Sequence, residues 1–245
     1  MLRFVYVIVI NIFRILYYVP KMSYYAKHPE RYSEEERYAL AQKIVRIVVR
    51  TSRVKTEYEG RENLPKSGGY IMFSNHQGRY DPMGIIAGHE RPCSFLVDKR
   101  RANQFLGKQF SALLDGISID KESVKDQMRA MRALASGAKE GRIYLVFPEG
   151  IYYKDQGNRT GEFKQGCFIC ATHAKCPVIP VTVVDSYKVY GKNSLKGVKT
   201  KVIFHAPIFY EDYKGMNAKE LSLLVKGVID REQAKNPKRI KFPRL

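Results

Sequence analysis

The chain has 245 residues, of which 44% are hydrophobic, and a formal net charge of +19. The length suggests one domain with room for an appendage, and the apolar fraction is that of a globular protein with a sizeable core, which excludes a disordered chain. The charge indicates an anionic partner, such as nucleic acid, an anionic membrane surface, or an acidic substrate or carrier. The four cysteines are not spread as a disulfide framework would be, which indicates a reducing compartment.

The first 20 residues are strongly apolar, but Asn11 and Arg14 interrupt them. A helix between Arg3 and Pro20 would be only about 24 Å long, shorter than a bilayer core of roughly 30 Å. The two polar residues argue further against a simple span, and no small-residue cleavage site follows the apolar run. We expect an interfacial or re-entrant membrane anchor, with a helix buried in a soluble core, a true span or a signal peptide as alternatives.

A second helix is marked by a capping box, with Ser33 as N-cap and Glu36 at the third helical position. An apolar stripe and a basic rim follow, which suits a helix that lies on anionic lipid; packing on the core is the alternative. The stripe is Leu40, Ile44, Ile47 and Val48, and the rim is Lys43, Arg46, Arg50 and Arg53. We therefore predict a membrane-associating helical pair over residues 1–58 and a second, α/β domain over residues 59–245.

From residue 60 onward, short apolar runs alternate with helical patterns. Strands are predicted at residues 69–74, 93–97, 117–119, 143–147, 178–184 and 201–205. Helices are predicted at residues 82–89, 101–114, 122–139, 165–174 and 217–233. This alternation predicts the α/β class, with a mainly parallel central sheet flanked by helices.

A histidine and a carboxylate, His76 and Asp81, follow the first of these strands. In one continuous helix they would lie about 140° apart, so a contact between them requires a turn, which Gly78 makes easy. A neutral imidazole can take a proton from a hydroxyl, and a carboxylate on its other nitrogen fixes the tautomer. No serine or cysteine nucleophile is needed if the substrate brings the hydroxyl. The alternative is that Asp81 and Pro82 simply begin a helix and that His76 is a loop residue.

Three further motifs follow in order: F-P-E-G at residues 147–150, F-K-x-G at residues 163–166, and P-V-I-P-V at residues 177–181. F-P-E-G ends a second buried strand, and the carboxyl ends of parallel strands share one edge of a sheet. Together with H-x4-D, these motifs make the sequence resemble the glycerolipid acyltransferases, specifically the bacterial 1-acyl-glycerol-3-phosphate (lysophosphatidic acid) acyltransferases, over residues 60–210.

The resemblance implies a role for several residues. His76 would be the general base on the acceptor hydroxyl, Asp81 would orient it, and Glu149 and Gly150 would belong to the acceptor site. The hydroxyl would attack an acyl thioester, either acyl-CoA or acyl carrier protein, without a covalent acyl-enzyme. The acceptor would be lysophosphatidic acid and the product phosphatidic acid, made at the cytoplasmic face of the cell membrane by a peripheral or monotopic enzyme.

The same resemblance points to basic residues for the acceptor phosphate. Residues 116–121 match the block that binds glycerol phosphate, but Lys121 stands where an arginine is usual, and a lysine lacks the bidentate fork. Lys99, after another predicted strand, is a second candidate, although a charge run is usually a solvated face.

The clearest departure from the family follows Gly150. The family usually continues with threonine, arginine and serine, whereas this chain has Ile151, Tyr152 and a further tyrosine. Lys154 or Arg159 could compensate for the missing arginine. The departure leaves open an acceptor other than lysophosphatidic acid, such as another lysolipid or a glycolipid.

Two other classes of function fit the sequence less well. A basic nucleic-acid binder is a rival, but no helix-turn-helix, zinc-finger or RNA-recognition pattern is present. Cys167, Cys170, His173 and Cys176 recur every three residues, yet steps of three rotate off one helical face, so core packing is preferred to metal binding. No metal or cofactor is expected. A membrane-binding scaffold without catalysis is the remote alternative.

Overall fold

A computed structural model describes residues 2–104, 106–152 and 157–236. Within these ranges seven strands form one sheet. The strands are β1 (Val54–Glu59), β2 (Tyr70–Ser74), β3 (Ser94–Asp98), β4 (Ile117–Ile119), β5 (Ile143–Val146), β6 (Val178–Val184) and β7 (Val198–Phe204). The described ranges also hold eleven α-helices: α1 (Leu2–Ile10), α2 (Ile12–Lys27), α3 (Glu34–Thr51), α4 (Asp81–Gly88), α5 (Lys99–Ala102), α6 (Gly107–Leu113), α7 (Val124–Lys139), α8 (Ile169–Ala174), α9 (Tyr187–Gly191), α10 (Tyr210–Tyr213) and α11 (Ala218–Ala234).

The sheet order is β1-β7-β6-β2-β5-β3-β4, and every neighbouring pair is parallel except β6 and β7. Helices cover both faces, so the predicted α/β class with a mainly parallel sheet is confirmed. Because β2, β3, β4, β5 and β6 run in the same direction, their carboxyl ends meet along one edge. The loops that leave this edge carry the candidate site.

Successive side chains of β2 point to opposite faces of the sheet and therefore belong to two different layers of the core. Ile71 and Phe73 pack with α7, α8 and α11 on one face of the sheet. Tyr70 and Met72 pack with α2, α3 and α4 on the other. All four side chains are fully buried, which explains why this strand appears in the sequence as a continuous apolar run.

The N-terminal helices are docked on the α/β body and bent at Asn11. The axes of α1 and α2 differ by 78°. The amide of Asn11 donates to the Val7 carbonyl (2.8 Å) and to Thr51 Oγ1 (2.9 Å), which ties the bend to α3. Arg3 is buried and donates to the carbonyls of Val189 (2.8 Å) and Lys196. Burial and the nearby Arg53 lower the pKa of Arg3, against the influence of Tyr190.

In the described part of the chain no single helix is long and apolar enough to cross a membrane, although α1 and α2 together meet that test as a bent pair. The predicted capping box of α3 is confirmed, because Ser33 Oγ accepts from the Glu36 amide and Glu36 accepts from the Ser33 amide. The division of the chain at residue 58 remains a prediction.

Several details differ from the sequence prediction; α9 and α10, for example, were not predicted, and residues 165–168 of the helix predicted at residues 165–174 form a 3-10 helix. β1 was not predicted, and it extends one edge of the sheet by pairing in parallel with β7. The helix predicted over residues 101–114 is two helices, α5 and α6, because Leu106 takes a left-handed conformation with φ of 68° just before Gly107. A left-handed residue interrupts the helical hydrogen-bond pattern.

Candidate active site

The imidazole of His76 contacts the carboxylate of Asp81, as the sequence predicts. Nδ1 of His76 lies 2.7 Å from Oδ2 of Asp81. The same oxygen accepts from the backbone N–H groups of Gln77 (2.5 Å) and Gly78 (2.8 Å), so the loop after β2 wraps around the carboxylate. The two residues therefore meet through a turn and not along a helix.

This contact determines which ring nitrogen of His76 can accept a proton. Asp81 is fully buried and, as a carboxylate, can only accept hydrogen bonds, so Nδ1 carries the hydrogen. Nε2 is then left with its lone pair. The side chain of His76 is 15% exposed and lines a cavity of about 1090 Å³, called the main cavity below. Its ring is stacked on Phe147, with ring centroids 4.3 Å apart, and is edge-on to Tyr152 at 4.8 Å. The geometry is that of a general base held in one tautomer.

A buried polar network, which was not predicted from the sequence, contacts the other oxygen of Asp81. Ser186, which follows β6, donates through Oγ to Oδ1 of Asp81 (2.5 Å). The Ser186 backbone N–H donates to Oε1 of Gln77 (3.0 Å), whose amide nitrogen donates to Oδ1 of Asn158 (3.0 Å). Ser186 lies 105 residues from Asp81 in the chain, and no spacing rule connects them. Both carboxylate oxygens are thus fixed.

Glu149 connects the loop after β5 to the loop after β2. Its side chain is buried and accepts from the backbone N–H groups of His76 (2.8 Å) and Gly161 (2.9 Å). Gly150 has φ of +67°, a conformation that L side chains rarely adopt, and it lines the main cavity. Glu149 itself is not in the cavity wall, so its observed contacts hold the backbone at His76.

Lys121, after β4, reaches the same edge of the sheet and lines the cavity. Its Nζ lies 2.8 Å from Oδ2 of Asp98 and donates to the Gly150 carbonyl (2.5 Å). Although partial burial of Asp98 opposes the effect, the Lys121 ammonium lowers the pKa of this carboxyl. Lys121 is therefore at the site with its charge partly compensated.

Of the other predicted phosphate ligands, the two that the structure describes, Lys99 and Arg159, do not line the main cavity. Lys99 is exposed on α5 and lines a separate cavity of about 360 Å³. Arg159 is exposed and is not in the wall of the main cavity. Lys154 lies outside the described residues.

The main cavity has a volume of about 1090 Å³ and extends from the N-terminal helices across the carboxyl edge of the sheet. Its walls near α1, α2 and α3 are mostly apolar, including Val7, Ile15 and Val48. Its cationic residues are Arg14, Arg79, Arg101, Lys121, Arg132 and Lys164. The cavity wall that includes His76 thus combines an apolar region with cationic side chains, which suits an amphiphilic anion.

Core packing, which the sequence analysis expected for the segment from Cys167 to Cys176, is confirmed for Cys170 and Cys176, whereas Cys167 is half-buried at the cavity wall and the expectation is wrong for His173, which is exposed. All four thiols are free, and Cys170 and Cys176 are buried. Burial raises the pKa of Cys167 to about 11 and that of Cys176 to about 12. Residues 2–104, 106–152 and 157–236 contain no group of three or more histidine, cysteine, aspartate or glutamate side chains that could hold a metal ion. The absence of a metal cofactor remains a prediction.

Comparison with known proteins identifies the family. Residues 55–184 match the family model described as Acyltransferase. A probable 1-acyl-sn-glycerol-3-phosphate acyltransferase of Mycoplasma pneumoniae is 27% identical over 198 residues, covering 75% of this chain and 73% of the relative. The 1-acyl-sn-glycerol-3-phosphate acyltransferase of Borreliella burgdorferi is 24% identical over 161 residues, covering 66% and 64% of the two chains.

A solved structure shows the same fold. The crystal structure of the 1-acyl-sn-glycerophosphate acyltransferase PlsC from Thermotoga maritima superposes with a TM-score of 0.71 and covers 94% of this chain and 99% of its own, at 21% sequence identity. The family model spans more than half of the chain, and it includes His76 and Asp81, which are in contact. The chain therefore belongs to the acyltransferase family and is an O-acyltransferase.

Proposed function

We propose that the enzyme transfers an acyl chain from an acyl thioester, acyl-CoA or acyl carrier protein, to the free hydroxyl of 1-acyl-glycerol-3-phosphate. The product would be phosphatidic acid for phospholipid synthesis. The observation that carries the proposal is the 2.7 Å contact between His76 and Asp81 in the wall of a partly apolar, partly cationic cavity. The relatives in Mycoplasma pneumoniae and Borreliella burgdorferi are named as acyltransferases of this acceptor, which supports the proposal.

The reaction follows from the free Nε2 of His76. Nε2 takes the proton of the acceptor hydroxyl while its oxygen attacks the thioester carbonyl carbon, and Asp81 stabilises the imidazolium that forms. When the tetrahedral intermediate collapses, the carbon–sulfur bond breaks and the imidazolium returns the proton to the leaving thiolate. An ester and a thiol are formed, and His76 is regenerated.

A covalent acyl-enzyme is not part of the proposed mechanism. Cys167 lines the cavity, but its pKa is raised to about 11 by burial, against the influence of Lys164 and Lys121. The thiolate is the nucleophilic form, and very little of it would be present at neutral pH. Direct attack by the acceptor hydroxyl on the thioester needs no such group.

Attachment to a membrane is supported by an apolar surface on α1 and α2. Large apolar side chains are exposed there, Phe13 by 82% and Leu16 by 65%, and others along α1 are Val5, Val9 and Ile10. Exposed apolar surface of this size on adjacent helices is typical of a membrane-binding site. We propose that residues 1–58 hold the enzyme peripherally or monotopically on the cytoplasmic face of the cell membrane, and that residues 59–245 form the catalytic domain.

A second acceptor class, another lysolipid or a glycolipid, is favoured by one observation. Tyr152 stands beside His76 where the family has an arginine, so one phosphate ligand of the family is missing from its usual position.

An acyl-transfer assay with an acceptor panel tests the proposal. Purified enzyme in detergent would receive radiolabelled acyl-CoA or acyl carrier protein together with lysophosphatidate, lysophosphatidylcholine, lysophosphatidylglycerol or a glycolipid. We expect labelled phosphatidic acid to be the main product. A main product from a different acceptor would support the second class, and no product from any combination would contradict the proposed function.

A further inference from the structure

Arg101 and Tyr152 form a pair beside His76. The guanidinium carbon of Arg101 lies 5.1 Å from the centroid of the Tyr152 ring, and Nη1 lies 3.4 Å from the Tyr152 hydroxyl. The same tyrosine ring is edge-on to the imidazole of His76, with centroids 4.8 Å apart. All three side chains line the main cavity. One aromatic ring therefore separates the guanidinium from the general base.

Within the described ranges, no carboxylate compensates the charge of Arg101. Among the described residues no aspartate or glutamate lies within ion-pair distance of it, whereas Lys121 is paired with Asp98 at 2.8 Å. A guanidinium presents a planar fork of donors that matches two oxygens of a phosphate, which a lysine ammonium lacks. Arg101 is thus a cation of the right shape, in the cavity wall, with its charge available to a ligand.

We propose that Arg101 binds the phosphate monoester of the acceptor and supplies, from the segment after β3, the guanidinium that the family places at position 152. Tyr152 holds this guanidinium in place through its ring face and hydroxyl. The inference rests on the proposed function. Arg159 and Lys99 are not proposed as ligands of this phosphate, because Arg159 lies outside the wall of the main cavity and Lys99 lines a separate cavity.

The acyl donor also carries phosphate groups, so Arg101 could meet a phosphate of the acceptor or one of the donor. The covalent structures of the two substrates distinguish these possibilities. In the acceptor, the phosphate ester is on the carbon next to the one that bears the free hydroxyl. In acyl-CoA and acyl carrier protein, the whole pantetheine arm separates the phosphates from the thioester. Because Arg101 contacts the ring that contacts His76, a phosphate on Arg101 stays close to the reacting hydroxyl. This favours the acceptor.

Steady-state kinetics with saturating donor and varied lysophosphatidate test the assignment. We expect Arg101→Ala to raise KM for lysophosphatidate by about 10- to 100-fold, the usual effect of losing a hydrogen bond to a charged group. The change in kcat should be small, because the contact exists before and during the reaction. Arg101→Lys should give an intermediate KM.

The matched control is Arg100→Ala, which removes the same charge from the neighbouring position. Both arginines are exposed, but Arg100 is not in the cavity wall, so KM should stay within about twofold of the wild-type value, as is usual for a surface substitution. The double variant Arg101→Ala/Tyr152→Arg returns a guanidinium to the family's position and should recover most of the lost affinity. Tyr152→Arg alone should gain little.

Three results would overturn the assignment. One is a KM for Arg101→Ala that matches that of Arg100→Ala. Another is an equal rise in KM with 1-acylglycerol, an acceptor without phosphate. The third is a rise in KM for the donor and not for the acceptor.

Failure of the proposed function would be recognised separately. If wild-type enzyme does not acylate lysophosphatidate, the proposed acceptor is wrong, and titration calorimetry with glycerol 3-phosphate then decides the role of Arg101. Binding to wild type and to Arg100→Ala, with loss of binding in Arg101→Ala, would uphold a phosphate site at Arg101. Equal binding by all three proteins, or no binding to wild type, would overturn it.

Discussion

Ser186 and Asp81 are joined by a hydrogen bond of 2.5 Å, from the serine Oγ to Oδ1 of the fully buried carboxylate. Oδ2 of the same carboxylate accepts from His76 and from two backbone amides. The serine and the two amides together therefore fix the rotation of the carboxylate about its Cβ–Cγ bond, and with it the direction in which His76 is held. Ser186 is a positioning residue that acts through Asp81.

Replacement of Ser186 by alanine should reduce kcat by about tenfold and leave KM for both substrates nearly unchanged. A hydrogen bond to a charged group is worth about 1.5–3 kcal/mol, and the amides on Oδ2 would retain part of the orientation. Steady-state kinetics would measure the effect. Ser222→Ala, which removes a buried hydroxyl on α11, is the control and should keep full activity. An equal loss in both variants would mean that Ser186 matters only for folding.

The apolar surface of α1 and α2 should determine binding to lipid. The double variant Phe13→Asp/Leu16→Asp places two charges on side chains that are 82% and 65% exposed, so it should release the enzyme from anionic phospholipid vesicles with little effect on stability. Flotation of vesicles in a density gradient measures the bound fraction. Leu223→Asp changes a side chain on α11 that is 60% exposed, and this control should stay bound. Equal flotation of all variants would contradict a membrane role for the helical pair.

His89 should make the fold sensitive to acid. Burial lowers its pKa from 6.5 to about 4, with Arg91 adding to the effect against a hydrogen bond to the Arg91 carbonyl. Nε2 lies 2.6 Å from the Tyr70 hydroxyl and Nδ1 lies 2.7 Å from the Arg91 carbonyl, so the neutral ring both accepts and donates. The contribution of neutral His89 to the free energy of unfolding is therefore fully present above the unfolded-state pKa of about 6.5. As pH falls toward 4, the free energy of unfolding decreases by at most about 3 kcal/mol through this group.

Urea unfolding at pH 7.5, 6 and 4.5 measures this dependence. His89→Gln should lower the free energy of unfolding at pH 7.5 and make its decline with acid less steep than in wild type. Burial also lowers the pKa of His205, against the influence of Glu232. The free energy of unfolding of His89→Gln should therefore still decrease with acid, but less steeply than that of wild type. His173→Gln changes an exposed histidine and should keep the wild-type slope. An unchanged slope in His89→Gln would contradict the role of His89.

The sequence predicts the parts of this fold that local patterns determine. The buried strands β2 and β6 are continuous apolar runs, and α3 begins at its capping box, so their positions follow from burial and capping. β1 was missed because its alternate residues Lys55 and Glu57 carry charge at the edge of the sheet. The antiparallel pairing of β6 with β7 is a property of the chain path, which periodicity does not record.

The candidate site also has parts that sequence patterns predict and parts that they do not. His76 and Asp81 are five residues apart, so their contact needed only a turn and could be predicted. The contact of Ser186 with Asp81 depends on β6 lying beside β2, and sequence spacing holds no information about that arrangement. Arg101 belongs to a run of basic residues of the kind that is usually solvated. Its position in the cavity wall depends on the contact between the segments after β3 and β5, which the sequence does not predict.

The proposed role of His76 as the general base for attack by the acceptor hydroxyl can be tested by one comparison of two proteins. The initial rate of labelled phosphatidic acid formation from lysophosphatidate would be measured for wild type and His76→Ala, after thermal melting shows that both are folded. We predict a loss of about 10²–10⁴ in rate for His76→Ala, the usual contribution of a general base. A folded variant that keeps its rate within about threefold of wild type, a far smaller effect than a general base contributes, would contradict the claim.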